Sequence, residues 1–417
     1  MRYVGVTSRG IRLPILKTGD DLVYNVVDSV IKASKSEGFS FHDKDVIAIT
    51  ESIVARTQGN YCTTKDIADD VKAKTGGDVV GVVFPILSRN RFSILLKGIA
   101  KGCKKIVLQL SYPRDEVGNA LLTDDQIYES GVNPYSDVLS LEKYREVFGH
   151  RVHEFTGVDY IDFYIDLVKS VGCDIEVIFA NHADAILNYT KKVITADIHT
   201  RSYSKRLLKA KGAELVLGLD DIMTAPINGS GFNRDYGLLG SNKSTDEIVK
   251  LFPRDAQPIV EEVQREMKAR TGKNIEVMVY GDGAFKDPQG KIWELADPVV
   301  SPFHTAGLVG TPNELKLKYL ADNDLKDLKG DDLVNAAKKS IQAKGSNLVG
   351  NMASQGTTPR QITDLLGSLC DLTSGSGDKG SVIVRIRPYI LRSCCGRIQS
   401  GCYSRLLIHF KRQPAYA

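Results

Sequence analysis

Along most of the chain, short apolar runs of strand length alternate with amphipathic stretches of helix length. A chain patterned this way must bury one face of each element against another, which restricts it to layered α/β or α+β folds. The strand candidates are VVGVVF (79–84), KKIVLQL (104–110), DIEVIFAN (174–181), LVLGL (215–219), IEVMVYGDGAF (275–285) and SVIVRIR (381–387). DVIAITESIVA (45–55) reads as a strand running into a turn that Gly59 closes. The helix candidates include LVYNVVDSVIKAS (22–34), entered through a capping Gly-Asp-Asp, and TTKDIADDVKAKTG (63–76). Others are NRFSILLKGIAKG (90–102), VDYIDFYIDLVKSVG (158–172), TRSYSKRLLKAKGAE (200–214) and QPIVEEVQREMKARTG (257–272). DLVNAAKKSIQAKG (332–345) and PRQITDLLGSLCDL (359–372) complete the set. No internal repeat is visible.

At 417 residues the chain has length for about two to three domains and a sizeable core. Its longest apolar stretches, such as VVGVVFPIL (79–87), fall short of the roughly 20 residues of a membrane span. The first residues carry no uninterrupted apolar run of a secretory signal. Seven cysteines, an odd number without CxxC spacing, fit reduced thiols rather than a disulfide framework or a zinc site. The expectation is a cytoplasmic chain. The net charge of +4 comes from residues 389–417, which carry five basic residues and no acid. Without them 50 basic residues face 51 acidic ones, so the body lacks the basic footprint of a nucleic-acid binder.

Five clusters at element ends carry candidate chemistry. Leu13, Pro14, Ile15 and Leu16 form an apolar turn able to wall a ring, or an ordinary strand-to-helix entry. Glu51, Ser52 and Arg56 lie where a strand ends, the place ligands bind in α/β proteins, and an Arg there can pair a phosphate. Asp115, Glu116 and Asn119 follow the strand 104–110 and offer the oxygens that Mg²⁺ and Mn²⁺ prefer, although a polar turn reads the same way. Asp282 sits between two glycines at a strand end, with Glu294 and Asp297 beyond. Gly375, Ser376, Gly377, Asp378, Lys379 and Gly380 form a small-residue loop that can make a backbone nest for phosphate. That loop is not a Walker A motif, and GLLGSNKST (237–245) lacks the Gly that should precede Lys243. No GxSxG, HExxH or intact GxGxxG is present, so hydrolase and dinucleotide-binding readings lose ground.

Taken in order, GIRLPILKTGDDL, DVIAITESIVARTQG, VYGDG and QITDLLGSLCDL with SGSGDKG resemble the blocks of the coenzyme F-420-0:L-glutamate ligase family. The resemblance covers about 1–119 and 275–388. It implies a mixed α/β (α+β) fold in which these two end segments form one ligase-like unit around a middle insertion, and an intertwined homodimer. It implies GTP with two divalent ions, Mg²⁺ or Mn²⁺, and K⁺ as a monovalent ion. The implied reaction activates a substrate carboxylate as an acyl phosphate, which the amine of L-glutamate then attacks. The carboxylate acceptor in the family is F-420-0. By resemblance, Leu13 to Leu16, Glu51, Ser52, Arg56, Asn119 and Gly375 to Gly380 match nucleotide-binding positions. Asp115 or Glu116 matches the first metal-binding Asp, Asp282 the second, and Gly283 stands where the family has a metal-binding hydroxyl.

Four segments are expected: 1–122, a middle α/β insertion or divergent substrate region at 123–272, 273–388, and an atypical basic tail at 389–417. The Gly at 283 and the insertion leave two alternatives beside the amide ligase: a non-catalytic nucleotide- or metabolite-binding protein, and a ligase for a carboxylate unrelated to F-420. Neither nucleic acid nor membrane is expected as a partner.

Overall fold

The computed structural model describes residues 5–153, 156–281, 302–310, 313–345, 347–348, 350–354, 361–374 and, for the backbone alone, 380–385. They fall into a larger unit, Val6–Thr305 with Thr363–Arg385, and a smaller one built on Ala306–Ile362.

The larger unit opens with strand β1 (Thr7–Arg12) and helix α1 (Leu22–Glu37). The Asp21 carboxylate caps α1, accepting from the Tyr24 N–H at 2.9 Å, and Gly38 ends it in the left-handed conformation at φ 66°. β2 (Asp45–Thr50) passes without a break into α2 (Glu51–Thr57). The sequence suggested a turn here. The helix forms because Glu51, Val54 and Ala55 share one face and bury it.

β3 (Tyr61–Thr63) leads into α3 (Thr64–Thr75) through a capping box in which Thr63 and Asp66 bond each other's backbone N–H. β4 (Val79–Val83), α4 (Phe92–Lys101) and β5 (Lys105–Leu110) follow. Next come α5 (Asp124–Ser130), β6 (Leu139–Ser140), α6 (Leu141–Phe148), α7 (Tyr160–Lys169) and β7 (Asp174–Phe179). β8 (Lys192–Thr195), α8 (Arg201–Ala210) and β9 (Leu215–Gly218) alternate as the pattern predicts. β10 (Asn242–Lys243), β11 (Ile248–Lys250), α9 (Gln257–Thr271), β12 (Glu276–Tyr280) and β13 (Phe303–His304) come next. The smaller unit holds α10 (Leu317–Asp322) and α11 (Gly330–Ala343). α12 (Ile362–Ser374) and β14 (Gly380–Arg385) return to the larger one.

Among the described residues the strands form three sheets, and the fold is mixed α+β as expected. The first, in order β1-β14-β2-β12-β13, is assembled from both end segments of the chain. Only β2 and β12 are parallel in it. α1 and α9 cover it with Val26, Val27, Val30, Val260, Val263 and Met267.

The second sheet has the order β6-β7-β5-β4-β8-β9 and is parallel except for the edge strand β6. Its chain path runs outward from β4 to β5 and β7, then returns to β8 and β9 on the other side of β4. This is a doubly wound order. Strands before and after residue 123 share the sheet. The third sheet, β10-β11-β3, is short and antiparallel. Among the described residues no helix is long and apolar enough to cross a membrane.

Candidate functional site

The register of the first sheet brings to one of its ends the strand ends that two of the sequence clusters follow directly and that flank two more. Tyr280 of β12 lies opposite Thr50 of β2, Ser381 of β14 opposite Ile49, and Gly380 opposite Arg12 of β1. The C-terminal ends of β1, β2 and β12 and the N-terminal end of β14 therefore coincide. From this end depart Leu13–Leu16, Glu51–Arg56 and the residues after Tyr280. The small-residue loop returns to the sheet here at Gly380. The other end of that loop is fixed too: Ser374 is hydrogen-bonded to the Tyr280 hydroxyl at 2.8 Å, and Thr373 to Ser8 at 2.7 Å. Asp282, Gly283, Gly375, Ser376, Gly377, Asp378 and Lys379 lie outside the described residues, as do Glu294 and Asp297.

The apolar quartet divides. Leu16 is buried and Leu13 packs on the same core, whereas Pro14 and Ile15 face solvent, Ile15 at 85% exposure. The segment that follows is tied to α2, Thr18 donating to the Arg56 carbonyl at 3.2 Å and the Gly19 N–H to the Thr57 carbonyl at 2.9 Å. The Arg56 side chain is exposed and, among the described residues, has no partner.

Glu51 is buried in the first turn of α2, while Ser52 is exposed. Lys250 reaches both from β11: its ammonium donates to Ser52 Oγ at 2.7 Å and lies 3.4 Å from Glu51 Oε1. Lys250 is itself buried, and in register it faces Asn242 on one side and Tyr61 on the other. Sequence reading passed over Lys250 and Asn242. β11 is only three residues long, a run too short to show a period in the sequence.

Asp115, Glu116 and Asn119 occupy a different place, the loop after β5 at the C-terminal end of the second sheet. Asp115 is buried and clasps that loop. Its Oδ1 accepts from the N–H of Val117 (3.1 Å) and Asn119 (2.8 Å), its Oδ2 from the N–H of Leu87 (2.8 Å) and the Asn119 amide (2.8 Å). Burial pushes its pKa up to about 6, against the downward pull of those four bonds. Glu116 caps α8 from a distance, accepting from the N–H groups of Ile198, His199 (3.1 Å) and Thr200 (3.4 Å). Beside it the buried Asp197 accepts from Thr200 and Ser204 hydroxyls at 2.7 Å each. Burial, reinforced by the charge of Glu116, raises the Asp197 pKa.

These carboxylates bear on metal binding. An ionised carboxylate offers about four lone-pair positions. Those of Asp115 are filled by N–H donors, and Glu116 is similarly engaged, so either would have to shed donors to hold a divalent ion. As they stand, the carboxylates of Asp115 and Glu116 do not fit a divalent ion. His150, Asp159 and Asp162 also group their ligand atoms within 4.8 Å, but Arg145 already bonds both Asp side chains, at 2.8 and 3.1 Å to Asp159 and 2.7 Å to Asp162.

The four described cysteines are free. Burial raises the thiols of Cys62, Cys103 and Cys370 to about 12 and that of Cys173 to about 11, which leaves them protonated and poorly nucleophilic. Cys394, Cys395 and Cys402 lie outside the described residues.

A family model described as F420-0:Gamma-glutamyl ligase matches residues 10–388. No curated protein matches the chain.

Proposed function

The chain belongs to the F420-0:gamma-glutamyl ligase family, and from that premise we propose that it is an enzyme that forms an amide between a substrate carboxylate and the amine of L-glutamate or another amino acid, using GTP. The observation that carries the proposal is that the strand ends leading into Leu13–Leu16 and Glu51–Arg56, the end of β12 at Tyr280 and the start of β14 at Gly380 lie at one end of one sheet.

Phosphoryl transfer depends on positioning and on charge neutralisation more than on a particular base. In this reading Pro14 and Ile15 supply an apolar wall for the guanine ring. Ser52 and Arg56 face the phosphates, and the backbone N–H groups of Gly375 to Gly380 cradle them. The γ-phosphoryl group passes to a carboxylate oxygen of the substrate and GDP leaves. The amine then attacks the acyl carbon, the C–O bond to phosphate breaks, and inorganic phosphate departs as the amine loses its proton to solvent. A divalent ion, Mg²⁺ or Mn²⁺, would neutralise phosphate charge. With Asp115 and Glu116 engaged by N–H donors, the proposal assigns its binding first to Asp282, and K⁺ remains a further part of the reading. F-420-0 is the first carboxylate to try, and a homodimer is the proposed assembly.

One observation favours the non-catalytic alternative: the carboxylates of Asp115 and Glu116 serve the loop and α8 rather than standing free. The two readings separate in one incubation with GTP, Mn²⁺, L-glutamate and F-420-0. A ligase yields a product heavier by one glutamyl residue and one phosphate per product. A binding protein yields neither.

A further inference from the structure

We propose that Lys250 is an anion-binding residue whose ammonium receives phosphate oxygens of the nucleotide at the strand end of the first sheet. The inference rests on the nucleotide reading above and extends it to a side chain outside every sequence block that suggested it.

Lysine is almost never buried unless paired, and Lys250 is only 9% exposed. Its pairing is incomplete. The carboxylate partner, Glu51, lies at 3.4 Å, longer than the 2.7–2.9 Å typical of a charge-assisted bond. The short bond, 2.7 Å, goes to the neutral hydroxyl of Ser52. An ammonium has three N–H donors, and among the described residues the third has no acceptor. Ser52 is exposed, so the short bond ties the ammonium to a residue at the protein surface.

Position supplies the rest of the argument. Glu51 and Ser52 follow β2 directly, at the end of the sheet from which the other clusters depart. Arg56, the cation visible in the sequence, is exposed there and has no partner among the described residues. Lys250 is instead held by β11 and by two bonds, a compact charge already oriented before a ligand arrives. A pre-placed ammonium suits phosphate as a point charge. A carboxylate of L-glutamate is the other anion that could use it, and the experiment separates the two.

Removing the lysine alone would take a compensating charge from beside the buried Glu51 carboxylate, so the comparison is made between Glu51→Gln and the double variant Glu51→Gln with Lys250→Met. Calorimetry measures binding of inorganic tripolyphosphate, GTP, guanosine and L-glutamate to the wild type and both variants. The expected result is tripolyphosphate affinity at least tenfold weaker in the double variant than in Glu51→Gln, guanosine affinity unchanged within twofold, and rescue by Lys250→Arg in place of Met. Equal tripolyphosphate affinity in the two variants overturns the proposal. So does a wild type that binds no tripolyphosphate, and so does a lysine-dependent loss confined to L-glutamate. Lysine-dependent tripolyphosphate binding without GTP binding upholds Lys250 and removes the GTP reading instead.

Discussion

At the scale of single residues, the clearest structural commitment is the clasp made by Asp115. Replacing it with Asn leaves one oxygen to accept where two did, and sets an amide against the Leu87 and Asn119 donors. The expected cost is on the order of 3 kcal/mol, since a buried donor without an acceptor costs about 1–3 kcal/mol, and urea unfolding would measure it. The same residue predicts a pH dependence. Its folded pKa of about 6 lies above the ordinary aspartate value of 3.8, so in that window the folded state holds the extra proton. Stability from this group is greatest below about pH 4 and is lost as pH rises through about 6. Glu247 acts in the opposite direction. Hydrogen bonds from Lys101, Lys97 and Thr64 lower it from 4.5 to about 2, so its contribution is present above about pH 4.5 and is lost as pH falls through about 2. Unfolding free energy measured from pH 2 to 8 should lose its pH 4–6 slope in Asp115→Asn and keep its acid limb. Some residue roles were legible beforehand. Asp21 announced itself as a helix cap because capping is a matter of three neighbouring residues. Lys250 did not, because the bond that defines it joins residues 198 apart in sequence.

At the scale of elements, helices of ten residues or more were readable to within a few residues. Their apolar stripe repeats long enough to be seen, as in α9 with Val260, Val263 and Met267 buried. α2 escaped because seven residues fall below the window in which a helical period stands out. Close approach between helices left even less trace. Gly98 of α4 lies against Ile67 of α3, and a Cβ added there would sit 2.8 Å from the Ile67 Cβ. Gly98→Ala should therefore destabilise the protein by about 1–3 kcal/mol despite its better helix propensity. A thermal melt checks the sign: an alanine that stabilises would mean the two helices are free to separate.

At the scale of the whole chain, the alternating pattern conveyed layers but not how many sheets they make. The end segments do come together, because β14 inserts between β1 and β2 and β12 pairs with β2. What the pattern could not convey is that β4 and β5 belong to the other sheet with β7, β8 and β9, since strand order depends on pairings no local sequence encodes. It follows that Asp115 and Asn119, grouped by resemblance with Glu51 and Ser52, stand at the end of a different sheet. A chain truncated after Ser374 lacks the strand between β1 and β2. It should lose cooperative unfolding of the first sheet and its nucleotide binding together, as read by circular dichroism and calorimetry. The central claim is that nucleotide binds at the end of the first sheet, and photolabelling with 8-azido-GTP followed by peptide mapping tests it most directly. The account predicts GTP-protectable labelling of the peptides that carry Leu13–Leu16 and Glu51–Arg56. Protectable labelling confined to the Asp115–Asn119 loop or the start of α8 would contradict it.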